Sequence, residues 1–372
     1  MIGRIPAVIA IFLSFLFLSS PAMAGEWVPA GADQPGFRIT DVAVSGDGAY
    51  GALVGDAGIV LLNMNFVELW RSPVGSYSSV SLSGDGEILV AGGDGILVLH
   101  QDSTVLATVR SRNYVNDVSV TADGSRVVAA LDDETLCIYN ATGSLVGSTD
   151  TGNDVVSVAI SPDGTYIAGG TDTGDVVLFS DTGEERWTYS LSHQPVTSVA
   201  LAGSAQTIAA VSEDGSVVLL SRAGGLLWSG TSPHSGGVSV SGDGTITAVA
   251  DRQGIRFIGR DGTPVGLVPG VDASVASAMD GDGTLIAVTD GTRVSGFIQQ
   301  SAAVPEEMGQ KVGIEGNSLS SSVAVSTQTA SESLLSGENY PVPTQSPAPL
   351  VVVIAGLLFG AGFAAVGGRS RK

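Results

Sequence analysis

The chain has little cysteine, little charge and few basic residues. Among its 372 residues there is one cysteine, Cys137, which excludes an intramolecular disulfide framework, a four-cysteine zinc site and a CxxC redox pair. Charged residues make up 14%, against about a quarter in ordinary soluble domains. The 16 basic residues are outnumbered by 37 acidic ones, and the net charge of −21 argues against nucleic-acid binding. Glycine, with 51 residues, is plentiful instead, which indicates a β-rich, acidic protein with glycine turns.

The first 24 residues have the pattern of a secretory signal peptide. Arg4 precedes an apolar run from Ile5 to Leu18, and an Ala-x-Ala cleavage site ends at Ala24. An uncleaved N-terminal anchor is the alternative, but the small-residue site favours removal. We therefore expect residues 1–24 to be a signal peptide and the rest of the chain to begin outside the cytoplasm.

The C-terminus carries a second apolar segment. Residues 350–368 contain no charged side chain and are long enough, at about 1.5 Å per residue, to cross a hydrocarbon core of about 30 Å. The tail 369–372 is basic, and basic residues beside a span stay cytoplasmic. A buried core helix is the alternative, but five glycines would weaken a soluble helix and are better tolerated in a membrane. We expect a transmembrane helix, with the preceding chain extracellular.

A third segment, residues 301–349, is rich in Ser, Thr and Pro and lacks sustained hydrophobic periodicity. Such a composition cannot offset its ordering entropy, so we expect a disordered stalk. The order of Pro-rich stem, apolar span and basic tail resembles the C-terminal sorting signals of archaeal and bacterial surface proteins. That resemblance implies that the span is removed and replaced by a lipid anchor. The membrane is thus an expected partner, through the helix or through its lipid replacement.

The middle of the chain repeats itself, and the repeat decides the fold. An Asp-Gly turn recurs at six positions, which begin with Asp47, Asp85, Asp123, Asp163, Asp243 and Asp282. Ser204-Ala205 takes the seventh place in the same register. Asp47 and Asp282 are 235 residues apart over six intervals, a mean of about 39. This period, with glycine-rich turns and short alternating strands, is typical of a β-propeller. We predict an all-β, seven-bladed propeller of four-stranded antiparallel blades over residues 25–300.

Two patterns support a closed ring. The residue four before each turn position is small in all seven units: Ala43, Ser81, Ser119, Ala159, Ala200, Ser239 and Ala278. Innermost strands converge on the propeller axis, where only small side chains fit. The seventh unit lacks a clear outer strand, whereas Trp27 resembles the outer-strand tryptophans Trp70, Trp187 and Trp228. We therefore predict that residues near Trp27 complete the last blade and remove its edge strands.

Two motifs resemble known propeller families. Residues 155–164, which read Val-x-x-Val-x-x-Ser-Pro-Asp-Gly, resemble the WD-repeat propellers, although no Trp-Asp dipeptide and no Gly-His pair occurs. Residues 181–187 resemble the tryptophan-docking repeat of the pyrroloquinoline-quinone-like propellers. As a whole the chain resembles membrane-anchored, extracytoplasmic propeller proteins of methanogenic archaea. The resemblances imply the fold, which hosts both enzymes and passive scaffolds.

Catalysis is not expected. In the quinoprotein dehydrogenases of this resemblance, the quinone stacks between a tryptophan and a vicinal disulfide, beside a calcium ion and a catalytic Asp. Cys137 alone cannot form that disulfide, and the tryptophans fall on outer strands. The three histidines show no pairing at i,i+3 or i,i+4, and the serines before the Asp-Gly turns recur blade after blade as turn caps. We predict no catalytic residue, no cofactor, no metal site and no enzymatic activity.

One sequon is present. Asn140-Ala-Thr142 is the only Asn-x-Ser/Thr sequence, and it falls on a turn between the third and fourth strands of a blade. Asn140 is therefore a candidate glycosylation site, and turn chemistry is the alternative explanation of the residue.

The candidate binding residues lie on one rim. In each blade the first to fourth strands are called A to D, and the D–A and B–C connections share a rim in propellers. The B–C turns of all blades carry acidic residues: Asp56, Asp94, Asp132, Asp133, Asp172, Asp175, Asp214, Asp251 and Asp290. A turn requirement would produce such repetition. The D–A connections vary from blade to blade, as binding requires, and supply the candidates: Arg71, Tyr77, Arg110, Arg112, Tyr114, His193 and His234.

The sequence thus predicts a membrane-anchored, extracytoplasmic propeller that acts as a non-enzymatic scaffold for a protein or small-molecule ligand at its rim. One alternative is a propeller enzyme, a quinone-type oxidoreductase or a hydrolase, with its site at the channel mouth. Another is a structural protein of the cell envelope.

Overall fold

Seven separate four-stranded antiparallel sheets make up the structure, a computed structural model that describes residues 26–72, 75–233 and 235–300. The prediction of an all-β, seven-bladed propeller with four-stranded blades is confirmed. The expected signal peptide 1–24, stalk 301–349, apolar span 350–368 and basic tail 369–372 lie outside the described residues. Within the described ranges, no helix is both long and apolar enough to cross a membrane.

Each of the first three blades is continuous in sequence, with strand A innermost and strand D outermost. Blade 1 contains β2 (Ile39–Val44), β3 (Tyr50–Gly55), β4 (Gly58–Asn63) and β5 (Glu68–Ser72). Blade 2 contains β6 (Tyr77–Leu82), β7 (Ile88–Gly93), β8 (Gly95–His100) and β9 (Val105–Arg110). Blade 3 contains β10 (Val115–Val120), β11 (Arg126–Leu131), β12 (Thr135–Asn140) and β13 (Leu145–Asp150).

The next three blades follow the same order. Blade 4 contains β14 (Val155–Ile160), β15 (Tyr166–Thr171), β16 (Asp175–Ser180) and β17 (Glu185–Ser190). Blade 5 contains β18 (Val196–Leu201), β19 (Ile208–Ser212), β20 (Ser216–Leu220) and β21 (Leu226–Thr231), with a short 3₁₀ turn at Gly203–Ala205. Blade 6 contains β22 (Ser235–Val240), β23 (Ile246–Asp251), β24 (Gly254–Gly259) and β25 (Pro264–Pro269).

Blade 7 is built from both ends of the described chain. It contains β26 (Ala276–Met279), β27 (Leu285–Thr289) and β28 (Val294–Gln299), and its outer strand is β1 (Trp27–Asp33). Trp27 pairs with Gln299, and the Gln300 N–H donates to the Glu26 carbonyl at 2.8 Å. The predicted closure of the ring by residues near Trp27 is confirmed, and it pairs an edge that would otherwise be open.

The Asp-Gly turns connect strands A and B, and the preceding serine caps them as predicted. In blade 1 the Ser45 Oγ donates to Asp47 Oδ1 at 2.6 Å and accepts the Tyr50 N–H at 3.0 Å. Gly48 has a φ of +69°, which glycine adopts without steric penalty. In blade 7 Asp280 replaces the serine, and its carboxylate accepts the N–H of Thr284 at 2.8 Å.

A ring of backbone hydrogen bonds ties these turns together. In five blades the N–H of the residue before the turn position donates to the carbonyl of the equivalent residue in the next blade, as from Gly84 to Ala122 (2.8 Å), from Gly242 to Gly281 (2.7 Å) and from Gly281 to Gly46 (2.8 Å). In blade 1 the Asp47 N–H donates to the Gly84 carbonyl instead, at 2.8 Å. Pro162 has no N–H and does not donate in this ring. A Cβ on Gly281 would lie 2.8 Å from the Gly46 carbonyl oxygen, so this approach requires glycine.

Tryptophans on outer strands dock adjacent blades. The Trp70 indole N–H donates to the Gln101 carbonyl of blade 2 at 2.7 Å, and that of Trp187 to the Arg222 carbonyl of blade 5 at 2.9 Å. Trp27 differs from both, because its ring stacks on Phe257 of the preceding blade at 3.9 Å. Its indole N–H has no partner among the described residues. The resemblance of Trp27 to Trp187 therefore extends to the strand but not to the docking partner.

Candidate functional site

The seven A strands surround an axial channel of about 600 Å³. The small residues four before each turn all line it: Ala43, Ser81, Ser119, Ala159, Ala200, Ser239 and Ala278. The prediction that these small side chains lie at the centre of the ring is confirmed. Because the inner edge of each A strand has no neighbouring strand, its backbone N–H groups need other acceptors.

Side chains six before each turn supply those acceptors. This row, here called the inner row, consists of Asp41, Ser79, Asp117, Ser157, Ser198, Gly237 and Ala276. Its polar members accept a backbone N–H from the next blade: Asp41 from Val80 (2.8 Å), Ser79 from Val118 (3.2 Å), Asp117 from Val158 (2.7 Å), Ser157 from Val199 (3.1 Å) and Ser198 from Val238 (3.2 Å). The inner row therefore links blades 1 to 6 in sequence.

Two carboxyls of the inner row have unusual electrostatics. Burial raises the pKa of Asp41 to about 7, and the nearby charge of Asp117 adds to the effect, against hydrogen bonds from the Val80 and Val42 N–H groups. Burial also raises the pKa of Asp117, opposed first by the hydroxyl of Ser79, which donates to its Oδ1. Both pKa shifts reflect negative charge held in a narrow, protein-lined space.

Sequence reasoning missed this channel site. The signal was available, because Asp41 and Asp117 are the only acidic residues in a row otherwise made of Ser, Gly and Ala. Burying a carboxylate on the innermost strand of a propeller costs free energy that a serine at the same position would not. An acidic residue in this row therefore indicates a role beyond the structure of the ring.

The acidic residues of the B–C turns fasten the rim. Asp56 Oδ1 accepts the Arg38 N–H at 3.2 Å, and Asp132 Oδ1 accepts the Tyr114 N–H at 2.9 Å, so each carboxylate holds the D–A connection that enters its own blade. Asp214 accepts the Ser216 N–H within its own turn at 2.8 Å. These contacts favour the turn interpretation of the repeated acids over a ligand role.

Arg71 is occupied by intramolecular contacts. Its guanidinium donates to Glu68 Oε2 and to the Pro35 carbonyl, both at 2.6 Å, and lies 5.7 Å from the centre of the Phe37 ring. The carboxylate of Glu68 raises the pKa of Arg71 through this hydrogen bond. The sequence placed Arg71 among the binding candidates, whereas the structure gives it a role in holding the connection before β2.

Four other rim candidates lie at two successive connections, those that lead into blades 2 and 3. Tyr77 and Arg110 line one cavity of about 220 Å³ with Asp94, and burial raises the pKa of the Tyr77 hydroxyl. Arg112 and Tyr114 follow on the connection that leaves β9. Within the described ranges, the guanidinium groups of Arg110 and Arg112 are exposed and have no hydrogen bond or ion pair. The rim between blades 2 and 3 thus presents free basic groups.

The remaining candidates are dispersed. His193 is exposed on the connection between β17 and β18, two blades from Arg112, and His234 lies outside the described residues. Asn140 Oδ1 accepts the Thr142 Oγ1–H at 2.8 Å and the Ser144 N–H at 2.9 Å, so turn chemistry accounts for this residue. Cys137 is buried, and burial raises the pKa of its thiol, which makes it unreactive.

One repeat of the chain and its fold are similar to known proteins. Residues 142–180 match the family model described as "WD domain, G-beta repeat". The β-propeller domain of Cps50 (Swd1) from Myceliophteria thermophila superposes with a TM-score of 0.63 at 15% identity, over 74% of this chain and 100% of that domain. The chain is a β-propeller with one WD-like repeat. No curated protein matches its sequence. The resemblances to quinone-type and to anchored archaeal propellers stay predictions.

Proposed function

We propose that this WD-repeat-like propeller is a non-enzymatic scaffold that binds a protein partner through the rim between blades 2 and 3, on the outside of the cell. The observation that carries the proposal is the pair of exposed guanidinium groups, Arg110 and Arg112, which are free of ion pairs among the described residues. Tyr114, 41% exposed, adds an aromatic surface beside them. Arg and Tyr are enriched among the residues that dominate protein interfaces.

The contrast between repeated turns and variable connections supports the same rim. Carboxylates such as Asp56 and Asp132 are used to fix the D–A connections, so the frame of the rim is rigid. Arg110 and Arg112 stand close together on that frame in a protein whose net charge is −21, and other exposed arginines of the same rim, Arg38, Arg252 and Arg293, lie in other blades. An acidic partner segment would be attracted to this pair of guanidinium groups, which would orient the partner through charge.

Both described ends of the propeller lie on the edge opposite the D–A rim, which leaves that rim free of these termini. Strand β1 starts and strand β28 ends at the edge of the ring that carries the A–B and C–D turns, since β1 takes the place of a D strand and β28 that of a C strand. The segments before Trp27 and after Gln299 therefore join the ring on the side away from the D–A rim.

Replacing Arg110, Arg112 and Tyr114 together by alanine tests the binding rim. Because their side chains make no stabilising contact that the fold requires, we expect an unchanged melting temperature and loss of partner capture from envelope extracts. The matched control replaces Arg186 and Arg260, which lie near the opposite turns, and should capture normally. Unaltered capture by the triple variant, or equal loss in the control, would place the binding surface elsewhere.

A protease experiment tests the location. Protease added to intact cells should release the propeller by cutting within residues 301–349, because the proposed orientation leaves that segment outside. A cytoplasmic marker protein must stay intact in the same sample. Protection of the propeller until the cells are broken would refute the orientation without touching the rim proposal.

A further inference from the structure

The axial channel contains acidic charge that no basic side chain balances. Its ionisable lining residues are Asp41, Asp117 and Asp280, and none of the described residues that line it is Lys, Arg or His. The volume of about 600 Å³ falls within the range of about 300–1,000 Å³ in which proteins bind small molecules. The Asp280 carboxylate is used by its own turn, which leaves the two acids of the inner row.

The two inner-row carboxylates exceed what the ring requires. Ser157 and Ser198 accept the same inter-blade N–H with a hydroxyl, at 3.1 and 3.2 Å. A carboxylate at Asp41 or Asp117 makes the same link, accepts the N–H of Val42 or Val118 in its own strand at 2.8 Å, and adds a charge that is costly to bury. Architecture therefore explains a polar side chain at these positions but not a negative one.

Unpartnered hydroxyls line another part of the same channel. Ser239 is 7% exposed, and its Oγ has no hydrogen-bond partner among the described residues. The Oγ of Ser277, on the adjacent blade, is also buried and unpartnered. Ser81 and Ser119 occupy the row of Ser239 in other blades and accept an N–H from the next blade at 3.2 and 3.1 Å. Buried hydroxyls nearly always have a partner, so these two point to a ligand group.

We propose that the axial channel binds a small organic ammonium ion, with the carboxylates of Asp41 and Asp117 as counter-charges and the hydroxyls of Ser239 and Ser277 as further hydrogen-bond partners. A protonated amine supplies a positive charge and up to three N–H donors. Calcium instead needs about six to eight oxygen ligands, and the described residues contain no group of three or more acidic, His or Cys side chains that could hold a metal. This site is independent of the rim.

Calorimetric titration of the full-length protein with 1,4-diaminobutane tests the proposal. At ionic strength fixed with sodium chloride, we expect saturable binding, and none for 1,4-butanediol, which has the same length without charge. Asp41→Asn keeps an oxygen acceptor for the Val80 N–H and should weaken binding at least about tenfold, the effect of losing a charge-assisted hydrogen bond. Ser239→Ala should weaken it by roughly two- to tenfold, as for a neutral one.

Asp172→Asn is the matched control, because Asp172 is an exposed rim carboxylate outside the channel. It removes the same charge and should bind the diamine as the unmodified protein does. Equal weakening in Asp41→Asn and Asp172→Asn would reduce the effect to general attraction by an acidic protein and overturn the proposal. Absence of saturable binding, equal binding of the diol, or binding of calcium chloride in place of the diamine would overturn it as well.

Discussion

Replacing Asp41 by Asn should stabilise the propeller at neutral pH and have little effect in acid. Asn resembles the protonated carboxyl in shape, and its Oδ1 can accept the Val80 N–H that Asp41 accepts at 2.8 Å. What the substitution removes is a charge that the folded ring holds with difficulty. The pKa of Asp41 is raised from 3.8 to about 7 by burial and by the charge of Asp117.

The sign and size of the effect follow from this pKa. Because the unfolded chain loses the proton at a lower pH than the folded chain, the contribution of Asp41 to stability falls as pH rises from about 4 to about 7 and is constant above. The pKa of Asp41 differs by about three units between the unfolded and the folded chain, and at about 1.4 kcal/mol per unit this corresponds to about 4 kcal/mol of stability lost above pH 7. Because Asp41 is only half-buried, we expect about half of this, ~2 kcal/mol, in favour of the Asp41→Asn variant at pH 8.

Urea unfolding followed by tryptophan fluorescence, at pH 4.5 and pH 8, measures this difference. Comparing the variant with the unmodified protein at each pH cancels the titration of all other carboxyls. Asp172→Asn controls for the loss of one negative charge and should shift stability by less than about 0.5 kcal/mol at both pH values. A variant that is less stable at pH 8, or whose difference is the same at both pH values, would show that Asp41 is not strained by burial.

Two further substitutions test how the propeller is closed and held together. Trp27→Ala should lower the free energy of unfolding by about 2–3 kcal/mol, somewhat less than for a fully buried tryptophan, because it removes the stack on Phe257, and Trp27→Phe should lower it by less than about 1.5 kcal/mol. Equal melting temperatures for the unmodified protein and both variants would mean that the ring closure is secured elsewhere. Gly281→Ala should cost about 1–3 kcal/mol, since its Cβ would lie 2.8 Å from the Gly46 carbonyl oxygen. Gly147→Ala, with no atom nearer than 3.8 Å, is the control, and a similar loss in both would refute the steric argument.

The fold was predictable because the turns constrain residue type. Gly48 and Gly164 have φ values of +69° and +71°, which few side chains tolerate, so a glycine must recur wherever the turn recurs. A serine hydroxyl that caps the turn recurs for the same reason, as in Ser45 and Ser161. Local chemistry repeated at a fixed interval therefore predicts the number of blades.

The docking of Trp27 was not predictable from the same pattern. Its place on an outer strand follows from the missing strand of the seventh unit, and the pairing of Trp27 with Gln299 agrees. The indole of Trp27 can contact either neighbouring blade, and the orientation of its side chain at the first residue of β1 decides which. Trp187 stands third in its strand and turns toward the next blade, whereas Trp27 turns back to Phe257.

The candidate site was predictable only in part, because the fold brings together residues that are far apart in the sequence. Arg110 and Arg112 could be named from variable connections, and the structure places them on an exposed sector. Asp41 and Asp117 are 76 residues apart and look like ordinary polar positions of two separate strands. Their mutual repulsion exists only because all seven A strands meet around one axis.

In a repeat protein, equivalent positions of different blades can be compared with one another. This comparison separates residues that the fold requires from residues that it does not. A B–C carboxylate occurs in every blade and binds a backbone N–H in blades 1, 3, 5, 6 and 7, so the repeat explains it. At the inner row, serine satisfies the inter-blade bond in three blades, so the hydroxyl is what the ring needs and the charge of Asp41 is additional. By the same reasoning Arg110 has no counterpart imposed by the fold. Departures from the repeat at positions whose structural requirement is already met are therefore where binding should be sought, at the rim for a partner and in the channel for a cation.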